Sequence, residues 1–181
     1  MTEQKLLRST DSATVIIGIG NEYRRDDAAG LIVARQLKNM EIPGVGVIEA
    51  SGEGAALMES WKEAQVGILI DAVQSGARPG TIHCLDLNAA TVPASFFGYS
   101  THAFSVAEAI ELARALNQLP PRVILYGIEG KNFEAGIGLS AEVKIAVKTV
   151  ADESARLLAE LRSAQNLFFP LQSVDTKFAV S

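Results

Sequence analysis

Cysteine is nearly absent from this 181-residue chain: Cys84 stands alone, so no internal disulfide can form. Histidine is almost as scarce, with His83 and His102 the only two. No apolar run approaches the roughly 20 residues that span a bilayer; VGILI (66–70) is typical of the longest. The first twenty residues, MTEQKLLRSTDSATVIIGIG, lack a long apolar region followed by a small-residue cleavage site, so no secretory leader is expected. Arg24-Arg25 follows an apolar run instead of preceding one, which excludes a twin-arginine signal. Positive charge is in deficit: 16 basic against 21 acidic residues leave a net charge of −5. Such a chain does not neutralise rows of phosphates, so neither nucleic acid nor an anionic membrane surface is an expected partner. These absences together point to the cytoplasm.

Several catalytic and nucleotide signatures are missing as well. There is no G-x-S-x-G elbow, no H-E-x-x-H, no serine with an evident histidine partner and no Walker-type G-K-[ST]. Cys84 lies in a run that reads as packed, without an activating neighbour, and is expected in the core.

What is there is a regular alternation of two periodicities. TVIIGI (14–19), 44–50, VGILIDAV (66–73) and RVILYGI (122–128) are short apolar runs of buried strands, and TIHCLDL (81–87) reads as a strand near an edge. Helical spacing appears at 26–39, 54–63, from about 105 to 117 and beyond Ser140. Ser105 and Glu108 fit a capping box, and Ser140 is placed to cap the last helix. Residues 88–103 show no period and read as a long loop, a feature that is often functional. The alternation predicts a three-layer α/β/α sandwich with a mainly parallel central sheet. No repeat or linker divides the chain, so residues 1–181 are read as one domain, with its core over about 14–163 and a tail without period at 165–181.

The stretch GIGNEYRRDDAAG (18–30) opens like a dinucleotide loop and then departs from it. Tyr23 stands where a third glycine belongs, and Asp26 and Asp27 would repel a phosphate. Nucleotide binding is therefore not expected. Ligands of open α/β sheets sit beyond the carboxyl ends of the strands. Polar residues collect there: Asn21, Asp26 and Asp27 after the first strand, Glu49 and Ser51 after the second, Asp71 in the third, Glu129 after the fifth. Asp26 reads as a helix N-cap. Asp71 directly follows VGILI, and a buried carboxylate is costly unless it is hydrogen-bonded, paired or metal-bound. His102 lies in the long loop on the same side, whereas His83 is expected at the surface. Asp27, Asp71 and His102 together would give a first-row divalent ion three O/N ligands and leave a position open for substrate.

These pieces resemble the hydrogenase maturation proteases, the endopeptidases that trim the large subunit of [NiFe]-hydrogenases. The resemblance rests on GIGNEYRRDDAAG (18–30), ILIDAV (68–73), RPGTIH (78–83), STH (100–102) and GIEG…GLSAEV (127–143), in family order over about residues 14–150. It implies a three-layer α/β sandwich and removal of a C-terminal peptide from the [NiFe]-hydrogenase large-subunit precursor after nickel insertion. It also maps the family's three nickel-binding, catalytic positions onto Asp27, Asp71 and His102, the nickel being carried by the precursor and not owned by the protease. Asn21 and Glu49 are the accompanying candidates for contact with the substrate chain. The chain departs from the family pattern at Ala28, at Glu49-Ala50-Ser51 and at Gly130, and none of these is in the trio. A non-catalytic chaperone of the same fold, inspecting the metal centre of the precursor, is the alternative the same residues would serve.

Overall fold

Apolar runs too continuous to alternate faces have to be covered on both sides, and the sheet meets that requirement. The computed structural model describes residues 14–93, 96 and 106–168, the last five of them by backbone alone. Five strands run in the order β2-β1-β3-β5-β4: β1 Thr14–Ile19, β2 Val45–Ala50, β3 Val66–Val73, β4 Ile82–Asp86 and β5 Arg122–Glu129. The first four in that order are parallel, and β4 pairs antiparallel with β5 at the edge. Every residue of β1 and of β3 is buried.

Helices α1 (Ala29–Asn39) and α4 (Ala141–Phe168) cover one face, where Val33, Leu37, Val143, Val147 and Val150 pack on Ile16, Ile68, Ile70 and Ile128. Helices α2 (Gly54–Ser60) and α3 (Val106–Ala115) cover the other, where Leu57, Val106 and Ile110 pack with Ile17, Leu69, Val73 and Leu125. The expected three-layer sandwich is thus observed, with its mostly parallel sheet.

Some boundaries move. Residues 26–28 belong to a separate 3₁₀ turn, Arg25–Ala28, ahead of α1. Helix α2 stops at Ser60, and the side chain of Trp61 is buried at its end. Helix α4 continues through residues 165–168, which were expected to belong to the tail. Cys84, expected in the core, is exposed on the edge strand. Ser105, His102 and the rest of the loop at 97–105 lie outside the described residues, as does the tail from 169 on.

The chain leaves β1 for β2 on one side and returns to β3 on the other. The order therefore reverses between β1 and β3, and the crevice beyond their carboxyl ends is where such a sheet takes a ligand.

Candidate active site at the carboxyl edge of the sheet

The loop out of β1 is shaped by glycine and pinned by a distant segment. Gly20 has φ of +148°, and a Cβ on it would lie 1.8 Å from the Asp27 carbonyl oxygen. Only glycine lets the chain fold back this tightly. The Asn21 side chain accepts a hydrogen bond from the Tyr23 amide at 3.0 Å, closing a local turn. Arg25, in the left-handed region at φ of +48°, donates its amide to the Gly136 carbonyl at 3.0 Å, while the Gly136 amide donates to Tyr23.

Asp26 is completely buried and is not the N-cap its position suggests. Its carboxylate accepts hydrogen bonds from the amides of Lys131, Asn132 and Ser140 at 2.9, 2.9 and 2.7 Å, and from the Ser140 hydroxyl at 2.7 Å. Burial alone would raise its pKa, but the hydrogen bonds from Ser140, Asn132 and Lys131 outweigh it and hold the carboxyl below the ordinary range. The Ser140 hydroxyl is spent on Asp26 and caps no helical amide of α4.

Asp27, the next residue, lines an open groove of about 500 Å³ together with Asn21, Glu49, Arg35, Tyr23 and Ser51. Arg35 spans this groove, holding Glu49 at 2.8 Å and Glu22 at 3.3 Å. Helix α1 begins immediately behind Asp27 and lies directly on the strands: a Cβ on Gly30 would be 2.2 Å from the Ile70 carbonyl and 2.4 Å from that of Ile19. This contact brings Asp27 beside the end of β3.

There Asp71 is buried at 6% exposure and, among the described residues, accepts one hydrogen bond, from the Ala72 amide at 2.8 Å. Its pKa is pushed well above the usual carboxylate range, first by burial and then by the negative charge of Asp27. Among the described residues no three metal-ligating side chains gather at one point. Asp27 and Asp71 supply two of the expected donors, and His102 lies outside the described residues. The described residues nearest to it in sequence, Phe96 and Val106, belong to the core on the Leu69 and Val73 face of β3, which by strand alternation is the face of Asp71.

Glu129, one of the acids expected at this edge, is engaged by partners of its own. It is buried and accepts hydrogen bonds from the Ser75 hydroxyl at 2.7 Å and the Gly76 amide at 2.9 Å. His83 approaches it at 3.3 Å and packs against Phe96 with ring centroids 4.7 Å apart. His83 is therefore half-buried and tied to Glu129, not the free surface residue expected. The local sequence carries no signal for the pair, because Glu129 lies 46 residues away from His83.

Residues 31–156 match the model of the hydrogenase maturation protease family. The chain belongs to that family. The matched stretch contains Asp71 and His102 and begins just after Asp27. The chain is similar to the hydrogenase expression/formation protein HoxM of Cupriavidus necator, 28% identical over 178 residues, covering 89% of this chain and 87% of that protein. It is also similar to the hydrogenase expression/formation protein HupD of Thiocapsa roseopersicina, at 24% identity over 83% of this chain and 70% of that one. Among solved structures, an endopeptidase from Escherichia coli superposes with a TM-score of 0.66 at 26% identity, covering 83% of this chain and 93% of that one. The hydrogenase maturating endopeptidase HybD of E. coli shares the fold at a TM-score of 0.63 and 22% identity, with 83% and 93% covered. Membership in this family makes the chain a peptidase of hydrogenase maturation. No helix among the described residues is long and apolar enough to cross a membrane.

Proposed function

We propose that this protein is the cytoplasmic endopeptidase that removes the C-terminal extension of a [NiFe]-hydrogenase large-subunit precursor once nickel has been inserted. Asp27, Asp71 and His102 meet the nickel carried by the precursor, and that contact sets the register of the scissile bond. The observation that supports this reading best is Asp71, buried beside a second carboxylate, with the Ala72 amide its one hydrogen-bond donor among the described residues. Two acids so placed are stabilised by a shared proton or by a cation. A precursor that delivers the cation therefore binds where the chain most needs one, and an empty precursor does not.

In hydrolysis, water adds to the scissile carbonyl carbon, the C–N bond breaks, and the amine leaves with a proton. Asp27, open to the groove, is placed to take the proton from the water as general base. A protonated Asp71 next to it would donate to the carbonyl oxygen, as in two-aspartate proteases. The nickel of the substrate, as a Lewis acid, is the other source of activation. Asn21 and Glu49 line the same groove and serve the substrate chain.

The test incubates the purified protein with nickel-loaded and nickel-free precursor and follows loss of the extension by mass spectrometry. Cleavage of the loaded form alone is the expected result. Binding without cleavage of either form would instead make the chain a non-catalytic inspector of the metal centre.

A further inference from the structure

Strand β2 closes one side of the sheet, with β1 its only strand neighbour among the described residues. The Gly20 amide donates to the Ala50 carbonyl at 3.0 Å. Backbone groups of a strand alternate in direction, so Gly46, Ile48 and Ala50 turn theirs toward β1, and Val45, Val47 and Glu49 turn theirs away. The Val45 amide donates to the Ile42 carbonyl at 3.3 Å. The amides and carbonyls of Val47 and Glu49 have no hydrogen-bond partner among the described residues.

Among the described residues the usual protections of a free edge are missing. The segment VGVIEA contains no proline or lysine, and its register on β1 runs unbroken from Thr14–Val45 to Ile19–Ala50. Its one charge, Glu49, is held by Arg35. A groove flanks the edge on each face. One, of about 190 Å³, is walled largely by Leu37, Ile42, Val45 and Val47. The other, of about 390 Å³, is polar, between Ile48 and Glu59, Lys62 and Glu63. At its carboxyl end β2 runs into the groove that contains Asp27.

We infer that β2 receives the C-terminal extension of the precursor as a sixth strand. This rests on the endopeptidase reading above. The mature subunit keeps its nickel, so the nickel centre precedes the scissile bond and the extension follows it. With the nickel at Asp27 and Asp71, the extension runs away from the site down β2, antiparallel to it. Six residues of β2 span about 20 Å and pair with about six residues of the extension. Its side chains then alternate between the apolar groove and the polar one, and main-chain bonds to Val47 and Glu49 hold it.

A proline scan along the extension of the nickel-loaded precursor tests this with the full chain. Proline at every second position should slow cleavage about tenfold, the worth of one or two lost hydrogen bonds, and proline at the intervening positions should leave it near wild type. Cleavage that continues without a two-residue period overturns the strand addition and leaves the endopeptidase reading standing. Hydrogen exchange gives a second measure. Precursor binding should slow the Val47 and Glu49 amides; unchanged exchange on a bound precursor overturns the inference. So does slow exchange in the free chain that is lost on deleting residues 2–13, because the edge is then covered by the protein's own N-terminal segment. If the loaded precursor binds and is not cut, the endopeptidase reading fails, and the exchange measurement decides the strand addition by itself.

Discussion

Asp26 and Asp27 are adjacent in the chain and serve opposite sides of one turn. Asp26 is wholly buried under four hydrogen bonds from residues 131–140, and Asp27 lines the open groove beside Asp71. The 3₁₀ turn Arg25–Ala28 rotates successive side chains far enough to divide them. One acid anchors the loop so that the other is held in place.

Asp26→Ala should therefore destabilise the fold by about 3 kcal/mol, since it leaves buried donors unpaired. The pH dependence follows from the lowered pKa. The folded value lies below the ordinary 3.8, so the stabilisation is present above pH 3.8 and is lost as pH falls through the folded value. Urea unfolding across pH 2 to 6 should show a shallower acid loss for Asp26→Asn than for wild type.

Asp71→Asn should separate stability from activity in the other direction. Its raised pKa means that ionising Asp71 opposes folding, and increasingly so as pH rises from 3.8 through the folded value. Removing the charge should raise Tm, by about 2–4 °C for each kcal/mol gained in a chain of this size, with the advantage growing with pH. Processing of the precursor should be abolished. A lower Tm at neutral pH would contradict the cost assigned to the buried charge.

Gly20→Ala and Gly44→Ala make a matched pair. Both glycines have positive φ, +148° and +75°, but only Gly20 faces a backbone atom; around Gly44 the space is open. The change at Gly44 should cost about 1 kcal/mol of conformational strain and no activity. The change at Gly20 should cost more stability and should also displace Asp27, lowering cleavage at least about tenfold.

Arg35→Met tests the groove. The ion pairs to Glu22 and Glu49 are half-exposed, and such pairs contribute about 0–1 kcal/mol. Tm should stay within about 2–4 °C of wild type, and steady-state assays should show a higher KM for the precursor with kcat little changed. A fall in kcat alone would place Arg35 in the chemistry and not in substrate contact.

Layer order and strand placement were legible because burial on two faces leaves a continuous apolar run, as in VGILIDAV, and such a run has few alternative uses. The charged residues were harder to read. Asp26 and Asp27 look alike in sequence, and Asp26 reads as a cap, because its donors come from Lys131, Asn132 and Ser140, more than 100 residues away. His83 reads as a surface residue for the same reason: its partner Glu129 lies on the neighbouring strand. Cys84 reads as core because local hydrophobicity does not show how little of the edge strand β4 is covered.

Composition and periodicity by themselves determined the α/β/α layering and the strand ends at which acids would collect. The tertiary structure alone decided which acid is spent on the scaffold and which faces the groove. It also decided that β2, and not β1, is the sheet's edge beside that groove, unpaired on its outer side among the described residues. Periodicity is a property of neighbours along the chain, whereas hydrogen-bond partners and sheet edges are set by segments far apart in sequence that meet only when the chain has folded.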